Sequence, residues 1–247
     1  MAEQAEQMVR IVYRINTAAP FHVGSGNSAG LTMRTVVRDT QGYLILPGSV
    51  LKGALRARVE QLCNLWELPV CNSQYGGGKC FGSEPCLVCR LFGCRFQGQR
   101  LFCSDAGLEE TYRELFKWDI TGLPFGQTQN RTQIKISRLR GVAQEHHLFE
   151  SEYGQAGLSF QAVISGKINC SSFKSKNGTG AIFPEVILVL AGLRMIDHLG
   201  GGESRGFGKT DIEISSLAID NQLLDAEDQF KYMDEAIRSL KEREQSA

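Results

Sequence analysis

The sequence has no apolar run long enough to span a bilayer. Its longest, Val186 to Ile196, is broken by Arg194 and falls far short of the roughly 20 residues a membrane helix needs. The opening MAEQAEQMVR carries two glutamates and no apolar h-region, so no signal peptide is expected. The charges cancel, with 27 Lys plus Arg against 27 Asp plus Glu, and taken whole that argues against a nucleic-acid binder. Several catalytic signatures are missing. There is no G-x-S-x-G elbow, and His22, His146, His147 and His198 form no H-E-x-x-H. The stretch GGGESRGFGKT fails as a P-loop because Glu203 stands where the first glycine is required. GSGNSA matches G-x-G-x-x-A, but a strand-like segment follows it rather than a helix. What remains is ordinary globular composition, 42% hydrophobic and 22% charged over 247 residues. The expectation is a cytoplasmic protein with no membrane association.

The zero net charge hides an uneven distribution. From Asp211 to the end there are ten acids and four bases. Bases cluster earlier: Arg10, Arg14, Arg34, Arg38, Lys52, Arg56 and Arg58 face only Asp39 and Glu60 over that stretch, and Arg131, Lys135, Arg138 and Arg140 have no acid among them. This fits an anion-binding face with an acidic C-terminal element elsewhere; a solvated surface with a charged tail fits it too.

Patterning gives an α+β chain. RIVYRI alternates like a strand, TVVRD and QGYLILPGS read as further strands, and Leu51, Leu55, Val59 and Leu62 repeat at helical spacing behind Ser49 as N-cap. Lys52 and Arg56 then lie one turn apart near a helix start, an arrangement suited to phosphate. Residues 122–133 read as loop, and Gln133 to Ile168 as strands in a long hairpin or arm. Pro184 to Leu199 reads as a buried helix, followed by a second glycine-rich loop and the strand TDIEISSLAI. Leu223, Ala226, Phe230, Met233, Ile237 and Leu240 outline an acidic amphipathic helix. This order suits a ferredoxin-like core with insertions, and other α+β folds as well.

Of eight cysteines, six fall between Cys71 and Cys103. Cys71, Cys80, Cys86 and Cys89, ending in C-x-x-C with glycines between, offer four thiolates for a structural zinc ion; reduced free thiols are the alternative. Cys63, Cys94, Cys103 and Cys170 read as small core residues.

Three motifs in order, FHVGSG, LPGSVLKGALR and GGGESRGFGKT, with CLVCRLFGC and RLFCSDA between them, resemble the RAMP superfamily of CRISPR-Cas proteins. More narrowly, they resemble the guide-RNA-binding backbone subunit of type III effector complexes, over about Val9 to Ile214. The resemblance implies a single RAMP-type domain over 1–247 with a ferredoxin-like, RRM-like palm. It implies a cysteine-rich zinc finger at 69–104, a thumb-like β-hairpin at 122–160 and an acidic C-terminal helix at 218–247. Its partners would be crRNA, target RNA and other effector subunits. The positions it assigns to RNA are His22; Ser49, Lys52 and Arg56; Lys135 and Arg138 on the hairpin, with Arg140; and Gly201, Ser204, Arg205 and Gly206.

Two departures bear on activity. Cleaving members carry an aspartate in a stretch like D-x-P-V-x-R-D; here it reads MRTVVRD, and Met33 takes that place. A thioether is no general base. Asp39 matches the second aspartate and is a weak catalytic candidate. The thumb's usual I-D-R reads ISR, with Ser137 for the acid. The resemblance therefore implies a binding subunit without its own cleavage. The alternatives are an active target-RNA endonuclease, which would need Mg²⁺, and a stand-alone repeat-RNA endonuclease using His22 as base.

Overall fold

The computed structural model describes residues 6–28, 32–71, 85–116, 124, 126–169, 173–174 and 181–246. Cys80, one of the proposed zinc ligands, lies outside them, as does Cys170.

The alternation in the first strand, β1 (Glu6–Thr17), buries Val9, Ile11, Tyr13, Ile15 and Thr17 on one face. β1 lies between two antiparallel neighbours, β8 (Ser159–Asn169) and β11 (Thr210–Ile219). β8 in turn pairs β4 (Leu101–Cys103) and β5 (Ala106–Leu108), and β5 pairs β3 (Ile45–Leu46). β12 (Gln222–Leu224) extends the other edge, giving the order β12-β11-β1-β8-β5-β3. The chain is thus α+β, built on antiparallel sheets.

Two helices contribute heavily to the core against this sheet. α1 (Gly48–Leu65) buries Leu51, Leu55, Val59 and Leu62, the positions its spacing marks. α4 (Pro184–Arg194) is buried from Pro184 to Leu193, including Glu185. The reading of Ser49 as N-cap is corrected. Pro47 holds that place and Ser49 makes no capping bond, because Asp105, distant in sequence, reaches in and accepts the Gly48 N–H at 2.7 Å.

A second sheet stands beside the first. β6 (Thr128–Ile136) and β7 (Ala143–Gly154) form an antiparallel hairpin, and β2 (Thr32–Arg34) joins β7 in parallel. β6 begins inside the stretch read as loop from sequence. Short α2 (Leu87–Phe92) follows Cys86, and α3 (Glu110–Leu115) follows β5. β9 (Phe173–Lys174) pairs β10 (Ala181–Ile182).

The acidic end is a strand and two helices. Leu223, counted in the amphipathic stripe, sits in β12 and is exposed. α5 (Ala226–Phe230) is capped by Asp225, which accepts the Glu227 N–H. α6 (Met233–Ser246) packs Ala236 against Ile187 of α4, and its Lys241 pairs with Glu67 at 2.8 Å. No helix among the described residues is long and apolar enough to cross a membrane.

Candidate nucleic-acid interface

The two glycine-rich loops meet at the end of β1. Phe21, in the first loop, exchanges both backbone hydrogen bonds with Gly154 at the end of β7. Its ring meets Phe160 edge-on, with centroids 5.7 Å apart. A Cβ on Gly154 would lie 2.4 Å from the Phe21 ring, so only glycine lets hairpin and loop close this tightly. The second loop folds back through a 3-10 turn, Glu203–Arg205. Gly201 N–H donates to the His22 carbonyl and Gly208 N–H to the Pro20 carbonyl. Gly208 has φ +76°, and a side chain there would strike the Leu199 carbonyl oxygen at 2.2 Å.

These backbone contacts bring side chains from three segments together. Tyr153 of β7 stacks on Phe207 of the second loop, with centroids 4.7 Å apart. His22 leans on Tyr153 at 5.5 Å, and the Tyr153 hydroxyl accepts from Gln133 at 2.7 Å. Arg131 of β6 lies over Phe207 at 4.9 Å and over Tyr153 at 5.8 Å, while Arg205 approaches Phe207 at 5.8 Å. Both arginines are exposed. Two guanidinium ions on one ring form a compact positive spot, suited to phosphate by charge and by their forked donors.

His22 Nδ1 lies 2.7 Å from the Glu152 carbonyl oxygen. That oxygen can only accept, so Nδ1 carries a proton and donates it to this bond. Beside it is a cavity of about 210 Å³ lined by His22, Gly24, Gly26, Asn27, Arg34 and Thr35. Arg34 lies over Phe149 at 5.9 Å. Glu152, whose carbonyl holds His22, is part-buried. Burial alone would raise its pKa, but the Val36 N–H, Thr128 and the paired Arg38 outweigh that and hold its carboxyl below the usual range.

The hairpin carries Lys135, Arg138 and Arg140, all exposed, beside exposed Ile134, Leu139 and Leu148. Ser137 organises the tip: its carbonyl accepts from Gly141 N–H and its hydroxyl from Arg140 N–H. Ser204, Arg205 and Gly206 are exposed, whereas the Gly201 amide is already used by His22. Met33 lies in β2. Asp39 is occupied with its own turn. Its carboxylate accepts the Gln41 and Tyr43 N–H groups at 2.9 Å and faces Arg113 at 3.5 Å.

Lys52 and Arg56 make their contacts elsewhere. Lys52 donates to the Gln99 side chain, and burial lowers its pKa. Arg56 donates to Glu60 at 2.9 Å, to the Gly93 carbonyl at 3.0 Å and to Cys89 Sγ at 3.9 Å. Burial disfavours its charge, yet Glu60 and the sulfurs of Cys89 and Cys71 raise its pKa. Arg205, by contrast, works against Phe207.

The sulfurs of Cys71, Cys86 and Cys89 lie within 4.8 Å of one another, and could hold a metal ion. Cys71 and Cys89 Sγ are 3.3 Å apart, too far for a disulfide at about 2.05 Å. A tetrahedral metal with bonds of about 2.3 Å would set its sulfurs about 3.8 Å apart, so the cluster fits such an ion. Cys63 is buried in the core, and burial pushes the Cys103 thiol up to about 11.

Sequence reasoning counted Arg34 and Arg131 only among the clustered bases of a possible anion-binding face, and missed Tyr153 and Phe207. Phe207 carried a signal, an aromatic ring between two glycines in RGFG. Tyr153 carried none, because a strand residue shows its neighbours only once the strand is paired.

The RAMP superfamily model matches residues 14–211. The CRISPR system Cms endoribonuclease Csm3 of Enterococcus italicus is 30% identical over 217 residues, covering 85% of this chain and 91% of that protein. The protein of the same name from Methanocaldococcus jannaschii is 24% identical over 236 residues, covering 90% and 86%. With a family match over most of its length and relatives aligned nearly end to end, the chain belongs to the RAMP superfamily.

Proposed function

We propose that this chain is a guide-RNA-binding backbone subunit of a type III CRISPR effector complex, assembling in the cytoplasm along crRNA and target RNA with other effector subunits. The observation that carries this is the meeting of both glycine loops with the hairpin around Tyr153 and Phe207. It sets His22, Arg131 and Arg205 at one spot, with Lys135 and Arg138 further along β6 and the tip. Cations so arranged would grip the sugar–phosphate backbone, while base pairing reads the sequence. Membership of the family and the names of both relatives support the reading.

In this reading the order β11-β1-β8-β5 with α1 and α4 is a ferredoxin-like, RRM-like palm in one domain. Residues 69–104 form a finger, 122–160 a thumb and 218–247 an acidic C-terminal element. Cys71, Cys86 and Cys89, with Cys80, would hold a structural zinc ion, which supplies a cross-link and no chemistry. Ser49, Ser204 and Gly206 stand as further RNA contacts, whereas Lys52 and the Gly201 amide are engaged with Gln99 and the His22 carbonyl.

We assign no cleavage to this subunit, because Met33 offers no base and Asp39 is spent on its turn. The second reading, an active Mg²⁺-dependent endoribonuclease, is favoured by the word endoribonuclease in both relatives' names. The test is to purify the complex at low salt and sequence any bound RNA. A defined small RNA with further subunits is the expected result; a preparation free of RNA overturns the assignment. The complex is then given complementary RNA and Mg²⁺. Intact RNA is expected from the native complex, and regularly spaced cuts from Met33→Asp. Native cuts lost in Asp39→Ala would establish the second reading, and cleavage of repeat RNA by the isolated chain without metal would point to His22.

A further inference from the structure

We propose that Arg56 is a positioning residue for the thiolate cluster, holding Cys89 from helix α1, rather than a phosphate contact. The inference rests on the metal reading above and goes beyond it.

The guanidinium is committed in three directions. Nε donates to Glu60 one turn on, Nη1 to the Gly93 carbonyl just past α2, and Nη2 makes a long contact to Cys89 Sγ. Glu60 fixes the rotamer, so the planar fork spans the gap between two helices; an ammonium could not reach all three at once. Lys52, one turn earlier, holds the Gln99 side chain. Both cations of the K-x-x-x-R pair thus face the segment 89–99.

The chemistry gives this placement a purpose. Cys89 is fully buried, and α2 buries Leu87, Val88, Leu91 and Phe92. Zinc bound by the three thiolates that gather here already leaves a net negative charge at the edge of an apolar core, which is costly without a cation or donors beside it. A guanidinium donating to one ligating sulfur offsets that charge and orients the ligand, the role outer partners play at metal sites.

The test compares the native protein with Arg56→Met, which keeps bulk without donors, and Arg56→Lys, which keeps charge without the fork. Zinc per chain, zinc release to a chromogenic chelator and the salt dependence of RNA binding are measured on each. Arg56→Met is expected to release zinc about tenfold faster or more, with the RNA salt slope unchanged. In cobalt(II)-loaded protein the sulfur-to-metal charge-transfer band should shift in Arg56→Lys, which a merely structural role would leave in place. If Arg56→Met fails to fold, that band decides. Native zinc retention with a salt slope reduced by about one would overturn the proposal and make Arg56 a phosphate contact. A native protein that takes up no metal would remove it too, while copurifying RNA would leave the subunit assignment standing.

Discussion

Arg131, on the hairpin, lies 4.9 Å over the ring of Phe207, on the second glycine-rich loop. The contact joins two segments far apart in sequence through a cation and a π face. It holds the arginine without cancelling its charge, as a carboxylate would, and leaves the guanidinium donors for a ligand.

Phe207→Ala should therefore reduce RNA binding although no charge is lost. Arg131 and Arg205 lose their common ring, and Tyr153 its stacking partner. We expect a stability loss of about 2 kcal/mol, read by urea denaturation. Phe207→Leu should recover most of the stability but not the RNA affinity. Equal affinity for Phe207→Leu and the native protein would show the ring to be simple packing.

Arg131→Ala and Arg205→Ala should each weaken RNA binding for all sequences alike. Each should lower the slope of log affinity against log salt by about one. Titration of labelled single-stranded RNA at several salt concentrations measures this. A sequence-dependent loss would mean base contacts instead.

Glu152 ties β7 to the segment after the first loop, through Arg38 and the Val36 N–H. Its folded pKa is depressed, because those partners favour the anion despite burial. Its contribution to stability is fully present above the unfolded carboxyl value, about 4.3, and is lost as pH falls through the lower folded value. In urea melts the native protein should exceed Glu152→Gln most above about pH 5. The difference should shrink steadily in more acid solution, and a constant difference would sink the assignment.

Gly154→Ala should destabilise by more than an ordinary strand substitution, about 2 kcal/mol or more, since the new methyl meets the Phe21 ring. A companion change, Phe21→Leu, should relieve part of the loss in the double variant, as expected for touching residues. Additive losses would place the cause elsewhere.

Much of the framework was legible before folding. The alternation of β1 and the leucine spacing of α1 depend on local periodicity, and both elements bury the residues so marked. The cysteine spacing pointed to a set of which three members gather. What could not be read depends on distant partners. Asp105 takes the Gly48 N–H at the start of α1 across 57 positions of sequence. Arg56 looked available because Gly93 and Cys89 are not its neighbours along the chain. Tyr153 and Phe207 meet because the Phe21–Gly154 pairing and the Gly208–Pro20 bond bring strand β7 and the second loop to one point.

Phe21's ring fills the space that a side chain on Gly154 would have taken. The root of the arm is consequently keyed into the loop like a tenon. The long strands beyond it cannot swing about that joint without dragging along His22, which is bonded to the Glu152 carbonyl, so tilting the arm would reshape the adjoining cavity in the same stroke.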